Sequence, residues 1–212
     1  MTTSFPAVAV HLVDDEAPVR DALEFLFVSH ELPVRSYASG QLFLDSLQQA
    51  SHELSGCIVL DVRMEPISGL QVHDALTARG IRVPVIFLTG HGDIPMAVEA
   101  LKKGAFDFVE KPAGDAALVQ RVRDALSADA LRRSHLAEGD MLGAKLSELT
   151  PREHEVMARV AAGKLNKVIA DELNVSVRSV EVYRARVYAK LGVRSAAEVA
   201  TFLAKSANKP VG

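Results

Sequence analysis

Four short apolar runs in this 212-residue chain each end on a side chain able to handle a phosphoryl group. Val8 to Val13 runs into Asp14 and Asp15, Cys57 to Leu60 into Asp61, Val85 to Leu88 into Thr89, and Phe106 to Val109 into Glu110 and Lys111. Helix-length amphipathic stretches lie between them. Ala17 to Ser29, for example, carries Val19, Ala22, Leu23, Leu26 and Phe27 as one stripe, with Pro18 accommodated in its first turn. Apolar runs of strand length alternating with such stretches predict parallel strands buried by helices on both faces. Parallel strands end on one shared edge, where ligands collect. Asp14, Asp15, Asp61, the Thr89 hydroxyl and the Lys111 ammonium are therefore expected to meet in one crevice.

The same reading extends to five strand-plus-helix units. Val34 to Tyr37 is a second strand, and Ser39 caps a helix over 41–48. A third helix covers 69–79 and stops at Gly80, a fourth covers 94–103 and stops at Gly104, and a fifth runs from Gly114 past Leu126 towards Arg133. From Ser127 to Ser147 mixed charges are punctuated by Gly139 and Gly143, which reads as a helix end followed by a linker. Thr150, Pro151 and Glu153 then supply a cap hydroxyl, a first-turn proline and a capping-box glutamate. That helix runs to Ala162. Helices over 166–173, 177–191 and 196–204 follow, joined by short turns in a basic segment, a pattern suggesting a helix-turn-helix module. The predicted fold is α/β, a five-stranded doubly wound parallel sheet over residues 1–126, with 127–146 as helix end and linker. Residues 147–212 form a second, all-α four-helix domain.

Composition narrows the function. Hydrophobic residues make up 49% and charged ones 24%, and no apolar run approaches the roughly 18 residues of a membrane helix. With an N-terminus lacking early basic residues, this predicts a cytoplasmic protein without a membrane partner. The single cysteine, Cys57, excludes an internal disulfide and a zinc knuckle. No histidine pair has metal spacing, since Ala158 stands where His154-Glu155 would need a second histidine. A P-loop around Gly163-Lys164 fails at Ala158 and Leu165. Net charge is −3 overall, but residues 1–146 carry −7 and residues 147–212 carry +4. Such asymmetry fits an acidic regulatory domain joined to one that seeks phosphates.

The strings VDDE at 13–16, DVRM at 61–64, TGHGD at 89–93, MAVEALKKGAFDFVEKP at 96–112 and LTPREHEV at 149–156 carry a family resemblance. Residues 8 to 126 resemble the receiver domain of a two-component response regulator, which implies a flavodoxin-like sheet. With residues 147–205, the whole chain is similar to the NarL/FixJ family, which joins a receiver to a LuxR-type helix-turn-helix. The resemblance implies that Asp61 accepts a phosphoryl group from a sensor histidine kinase. It implies a Mg²⁺ site formed by Asp15, Asp61, the Arg63 carbonyl and, through water, Asp14. Lys111 would place its ammonium on a phosphoryl oxygen. Thr89 and Phe108 would be the switch pair, and Pro112 matches the family's cis-proline site. His91 reads as a loop residue. The family further implies homodimerisation on activation through residues 97–108, with Val98, Leu101 and Lys102 as candidates. Double-stranded DNA and RNA polymerase would be the downstream partners.

On a helical wheel through 177–191, Val180, Val187 and Leu191 share a core-facing sector, while Arg178, Val182, Ala185 and Ala189 lie opposite, flanked by Glu181 and Arg186. This outward face reads as the recognition helix. Arg178, Glu181, Val182 and Ala185 are placed for base edges. Asn166, Lys167, Ser176, Arg184 and Lys190 are placed for phosphates. Three departures from the family stand out: Glu65 precedes Pro66 where proline directly follows the DVRM methionine, Tyr183 replaces a usual histidine, and Ser179 a usual threonine. The first motivates a rival reading, an atypical DNA-binding regulator that works without phosphorylation. A phosphatase or mutase using an aspartyl phosphate is a second rival. Such enzymes carry an aspartate two residues after the nucleophile, where this chain has Arg63, so a non-enzymatic regulator is the expectation.

Overall fold

The computed structural model describes residues 8–49, 54–90, 94–111 and 114–207. Five strands, β1 (Ala9–Val13), β2 (Val34–Tyr37), β3 (Gly56–Asp61), β4 (Val85–Thr89) and β5 (Asp107–Glu110), form one sheet in the order β2-β1-β3-β4-β5, every pair parallel. The strand order reverses at β1 and β3, so the crevice opens between the two strands that end in acids. Helices α1 (Ala17–Ser29), α2 (Gly40–Gln49), α3 (Gly69–Ala78), α4 (Ile94–Lys102) and α5 (Asp115–Ser147) connect and cover them.

Side-chain alternation along each strand divides the core into two layers. Ile58, Leu60, Val85 and Phe87 pack against Phe43 and Leu44 of α2, Val72 and Leu76 of α3 and Ala100 of α4. Cys57, Val59, Ile86 and Leu88 pack on the other face against Phe27 of α1 and Leu118, Val119, Val122 and Ala125 of α5. Both faces are thus apolar, which explains why the strands read as continuous apolar runs.

Local chemistry sets the helix ends. Ser39 Oγ accepts from the Leu42 amide, as its capping role predicts. Ser68 and Gln71 close a capping box at the start of α3, and Gly80 leaves it with φ 71°. The stretch expected to hold a linker is instead helical: α5 continues without interruption to Ser147. The sequence cue was two glycines, but glycine in a helix interior costs only about 1 kcal/mol. Packing offsets that cost, with Asp129 buried about midway along α5 and Leu142 and Leu146 partly buried late in it. By compactness the chain divides at Arg132–Arg133, inside this helix.

The second unit contains α6 (Pro151–Ala161), α7 (Asn166–Leu173), α8 (Val177–Leu191) and α9 (Ala196–Ala207) around its own apolar core. The Thr150–Glu153 capping box is present, and Asn174 in the left-handed region and the Ser176 cap turn α7 into α8. Ser195 Oγ caps α9 through the Glu198 amide, and α9 extends past its expected end at residue 204.

Candidate functional site

Asp14, Asp15 and Asp61 lie at the carboxyl ends of β1 and β3, and each offers a carboxylate oxygen within 4.8 Å of the others. Asp14 is fully buried and Asp61 nearly so, whereas Asp15 is exposed. Lys111 follows β5, whose pairing with β4 is extended by its amide donating to the Thr89 carbonyl at 2.7 Å. Its Nζ donates to Asp14 Oδ2 at 2.9 Å and lies 3.1 Å from Asp61 Oδ1. One ammonium thus pairs with two of the three aspartates. Burial, reinforced by Asp14 and Asp15, lifts the Asp61 carboxyl above its ordinary range against the pull of Lys111. Burial would depress Lys111, but its bonds and proximity to Asp14 and Asp61 outweigh that and raise its pKa.

Excess negative charge and hard oxygen donors suit a small divalent cation. Asp15 also lines an open cleft of about 520 Å³ with Arg63, Met64, Glu65 and Met96. Glu65 is exposed, its peptide bond to Pro66 is cis, and its amide donates to Asp15 Oδ2 at 3.3 Å. Thr89 is buried at the end of β4, and Phe108 is partly buried on β5 against the core. Phe87 of β4 pairs with Phe108 and Thr89 with Glu110, so the proposed switch pair occupies adjacent strands. Val98, Leu101 and Lys102 are exposed on α4. His91 and Pro112, read as a loop residue and a cis-proline site, lie outside the described residues.

Two contributors went unrecognised in the sequence. Gly69 was read only as a helix start, yet a Cβ there would lie 2.1 Å from the Asp61 carbonyl oxygen. Glycine is required for α3 to begin directly against the end of β3. Glu16 approaches Lys111 Nζ at 3.8 Å from the exposed side, and the VDDE string contained it. Neither closeness is visible without the crossover that folds the chain back.

In the second unit, Val180, Val187 and Leu191 of α8 are buried, and Arg178, Glu181, Val182, Ala185, Arg186 and Ala189 are exposed. Lys167 is exposed at the start of α7. The other residues expected at phosphates are engaged within the domain. Ser176 Oγ caps α8 through the Ser179 amide, and Arg184 bonds to Asn166 and Tyr188. Lys190 Nζ donates to Glu153 Oε2 at 2.7 Å and the Glu148 carbonyl at 2.9 Å. Glu153 is buried, so its charge must be paired inside the fold. Tyr183 is partly buried against the same core.

Residues 10–123 match the response regulator receiver domain model, and residues 147–203 match that of the bacterial regulatory proteins of the luxR family. The chain belongs to the NarL/FixJ family of response regulators. This regulator is 47% identical over 193 residues to the C4-dicarboxylate transport transcriptional regulatory protein DctR of Rhodobacter capsulatus, covering 90% of this chain and 96% of that one. It is 42% identical over 193 residues to the transcriptional regulatory protein FixJ of Azorhizobium caulinodans, covering 91% and 90% respectively. Among solved structures it is similar to the response regulator StyR, with TM-score 0.85 and 37% identity over 93% of this chain and 98% of that one. The regulator therefore combines a receiver domain with a LuxR-type DNA-binding domain. Among the described residues, no helix is long and apolar enough to cross a membrane.

Proposed function

We propose that this response regulator accepts a phosphoryl group on Asp61 from a sensor histidine kinase, with Mg²⁺ held by Asp15, Asp61, the Arg63 carbonyl and, through water, Asp14. The observation that carries this reading is the convergence of Asp14, Asp15 and Asp61 on one another, with the Lys111 ammonium on Asp14 and Asp61. A carboxylate oxygen of Asp61 forms the new O–P bond as the P–N bond of a phosphohistidine breaks, the electron pair leaving on the imidazole nitrogen. Bound Mg²⁺ would neutralise developing charge on the phosphoryl oxygens. Lys111 holds Asp61 in place and offers its ammonium to the same oxygens. Thr89 donates its hydroxyl to the product, and Phe108 follows into the space that Thr89 vacates.

Phosphorylation then shifts the population towards a homodimer formed through α4 and β5, which binds a paired DNA site and acts on RNA polymerase in the cytoplasm. Exposed Val98 and Leu101 on α4 support that surface, and the +4 charge of residues 147–212 supports a DNA partner. Arg178, Glu181, Val182 and Ala185 would read bases, with Lys167 on the backbone. The protein is a phosphoacceptor and transcription factor with no separate substrate. Incubation with acetyl phosphate and Mg²⁺ should add one phosphoryl group to the wild type and none to Asp61→Asn, read by intact mass. Labelling that persists in Asp61→Asn would move the acceptor elsewhere, and absence of labelling in both would favour a regulator that works without phosphorylation.

A further inference from the structure

Arg184 is the middle residue of α8, on the unit expected to meet DNA, yet its guanidinium is engaged at three points inside the domain. Nη1 donates to Asn166 Oδ1, Nη2 donates to the Tyr188 hydroxyl at 2.7 Å, and the guanidinium carbon lies 5.6 Å from the centre of the Tyr188 ring. All three residues are partly buried. Asn166 opens α7, and Tyr188 lies one turn further along α8. A guanidinium makes such bonds because its donors sit in a rigid planar fork that also stacks on a ring, whereas an ammonium is a single point charge.

Helices α7 and α8 are otherwise joined covalently only through the short turn at Asn174, Val175 and Ser176. A turn at one end leaves the crossing angle to packing. The Arg184–Asn166 bond adds a link between the start of α7 and the middle of α8, far from that turn. We propose that Arg184 is a positioning residue for DNA recognition: it fixes the angle at which Arg178, Glu181, Val182 and Ala185 meet the groove and makes no phosphate contact of its own. This rests on the DNA-binding reading above.

A positioning role and a phosphate contact leave opposite signatures. Losing a phosphate contact weakens all duplexes alike and reduces the magnitude of the log–log salt slope by about 0.9 per contact. Misaligned base contacts weaken only the preferred sequence, by about 5- to 150-fold for each one lost. The full-length protein, treated with acetyl phosphate and Mg²⁺, would first enrich its own preferred duplex from a random-sequence pool. Binding of that duplex and of a scrambled one would then be measured across a salt series for the wild type, Arg184→Lys, Arg184→Ala, Asn166→Ala, the 166/184 double alanine variant and Lys167→Ala. Arg184→Lys should lose about tenfold or more on the preferred duplex despite keeping its charge. Its scrambled-duplex affinity and salt slope should stay at wild-type values. Asn166→Ala should show a similar loss, and the double variant should be no worse than either single one. Lys167→Ala, a backbone contact, should instead flatten the slope on both duplexes. Circular dichroism and melting temperature would confirm that each variant is folded, and an unfolded Arg184→Ala would leave the lysine and Asn166 variants to decide. Near-wild-type binding by Arg184→Lys, or a flattened slope in Arg184→Ala, would overturn the positioning role alone. Failure to enrich any duplex would remove the DNA-binding reading and this proposal together.

Discussion

Asp14, Asp15 and Asp61 hold their charges closer than any one of them would choose for stability, with a single ammonium among them. The exposed Asp15 is repelled by each of its two neighbours by about 1 kcal/mol at such separations in water, an effect that its bond from the Glu65 amide partly offsets. Asp15→Asn should therefore raise unfolding stability in EDTA by about 1 kcal/mol, and Mg²⁺ should stabilise the wild type but not this variant; paired chemical-denaturation curves check both effects. The Glu65 amide bond to Asp15 belongs to the same site, and a proline at position 65 would have no N–H to make it. Groups that orient metal ligands commonly carry about 10- to 100-fold in affinity, and this long, exposed bond should fall below that. Glu65→Pro should weaken Mg²⁺ binding by about threefold, and Glu65→Gln, which retains the amide, by less than twofold, as measured by titration calorimetry. His11 illustrates a titratable residue without a place in the chemistry. Burial, only partly opposed by its bond to the Ser55 carbonyl, lowers its pKa to about 4, with Arg35 adding to the effect. The unfolded chain takes up a proton near pH 6.5, where the folded state resists doing so. Stability from this group is therefore complete above that pH and falls between about 6.5 and 4, by up to about 3 kcal/mol. His11→Gln should flatten that part of a stability–pH profile.

At the scale of elements, α5 departs most from its sequence reading. Asp129 is fully buried in a stretch whose sequence reads as a helix end followed by a linker. Its carboxylate accepts from the Gly56 amide at the start of β3 and from Arg132. Gly56 has φ 111°, and a Cβ there would collide with the Ala9 carbonyl, so β3 can begin beside β1 only with glycine. Asp129→Ala removes the acceptor of the buried Gly56 amide, which should destabilise the receiver by about 1–3 kcal/mol. Asp129→Asn, still able to accept from the amide, should cost less in the same denaturation experiment. Strand and helix positions were legible because the two-residue and 3.6-residue periods differ and because caps such as Ser39 and Thr150 mark starts locally. Asp129 was not legible, since its partner is distant in sequence and alternating charge looks the same on a solvated linker as on a helix pinned by one buried acid.

Across the whole molecule, the two units have separate apolar cores, one pair of layers around the sheet and one cluster among α6 to α9. Separate cores unfold separately unless strongly coupled. Calorimetry should resolve two transitions, and Mg²⁺ at about 100 times its dissociation constant should stabilise only the receiver transition, by about 2.7 kcal/mol. The sequence by itself determined the class of fold, the alternation of strands and helices, and the acidic, hydroxyl and basic residues that end the strands, because these follow from local periodicity and from where parallel strands must terminate. It also determined which face of α8 is outward, since a helix buries one stripe. Only the tertiary structure decided that Lys111 pairs with Asp14 as well as Asp61, that Gly69 yields to the Asp61 carbonyl, and that Arg184 and Lys190 turn inward to Asn166 and Glu153. Each of those is a choice among several possible partners for a long or charged side chain, and that choice is made by which helix packs beside it rather than by its neighbours along the chain.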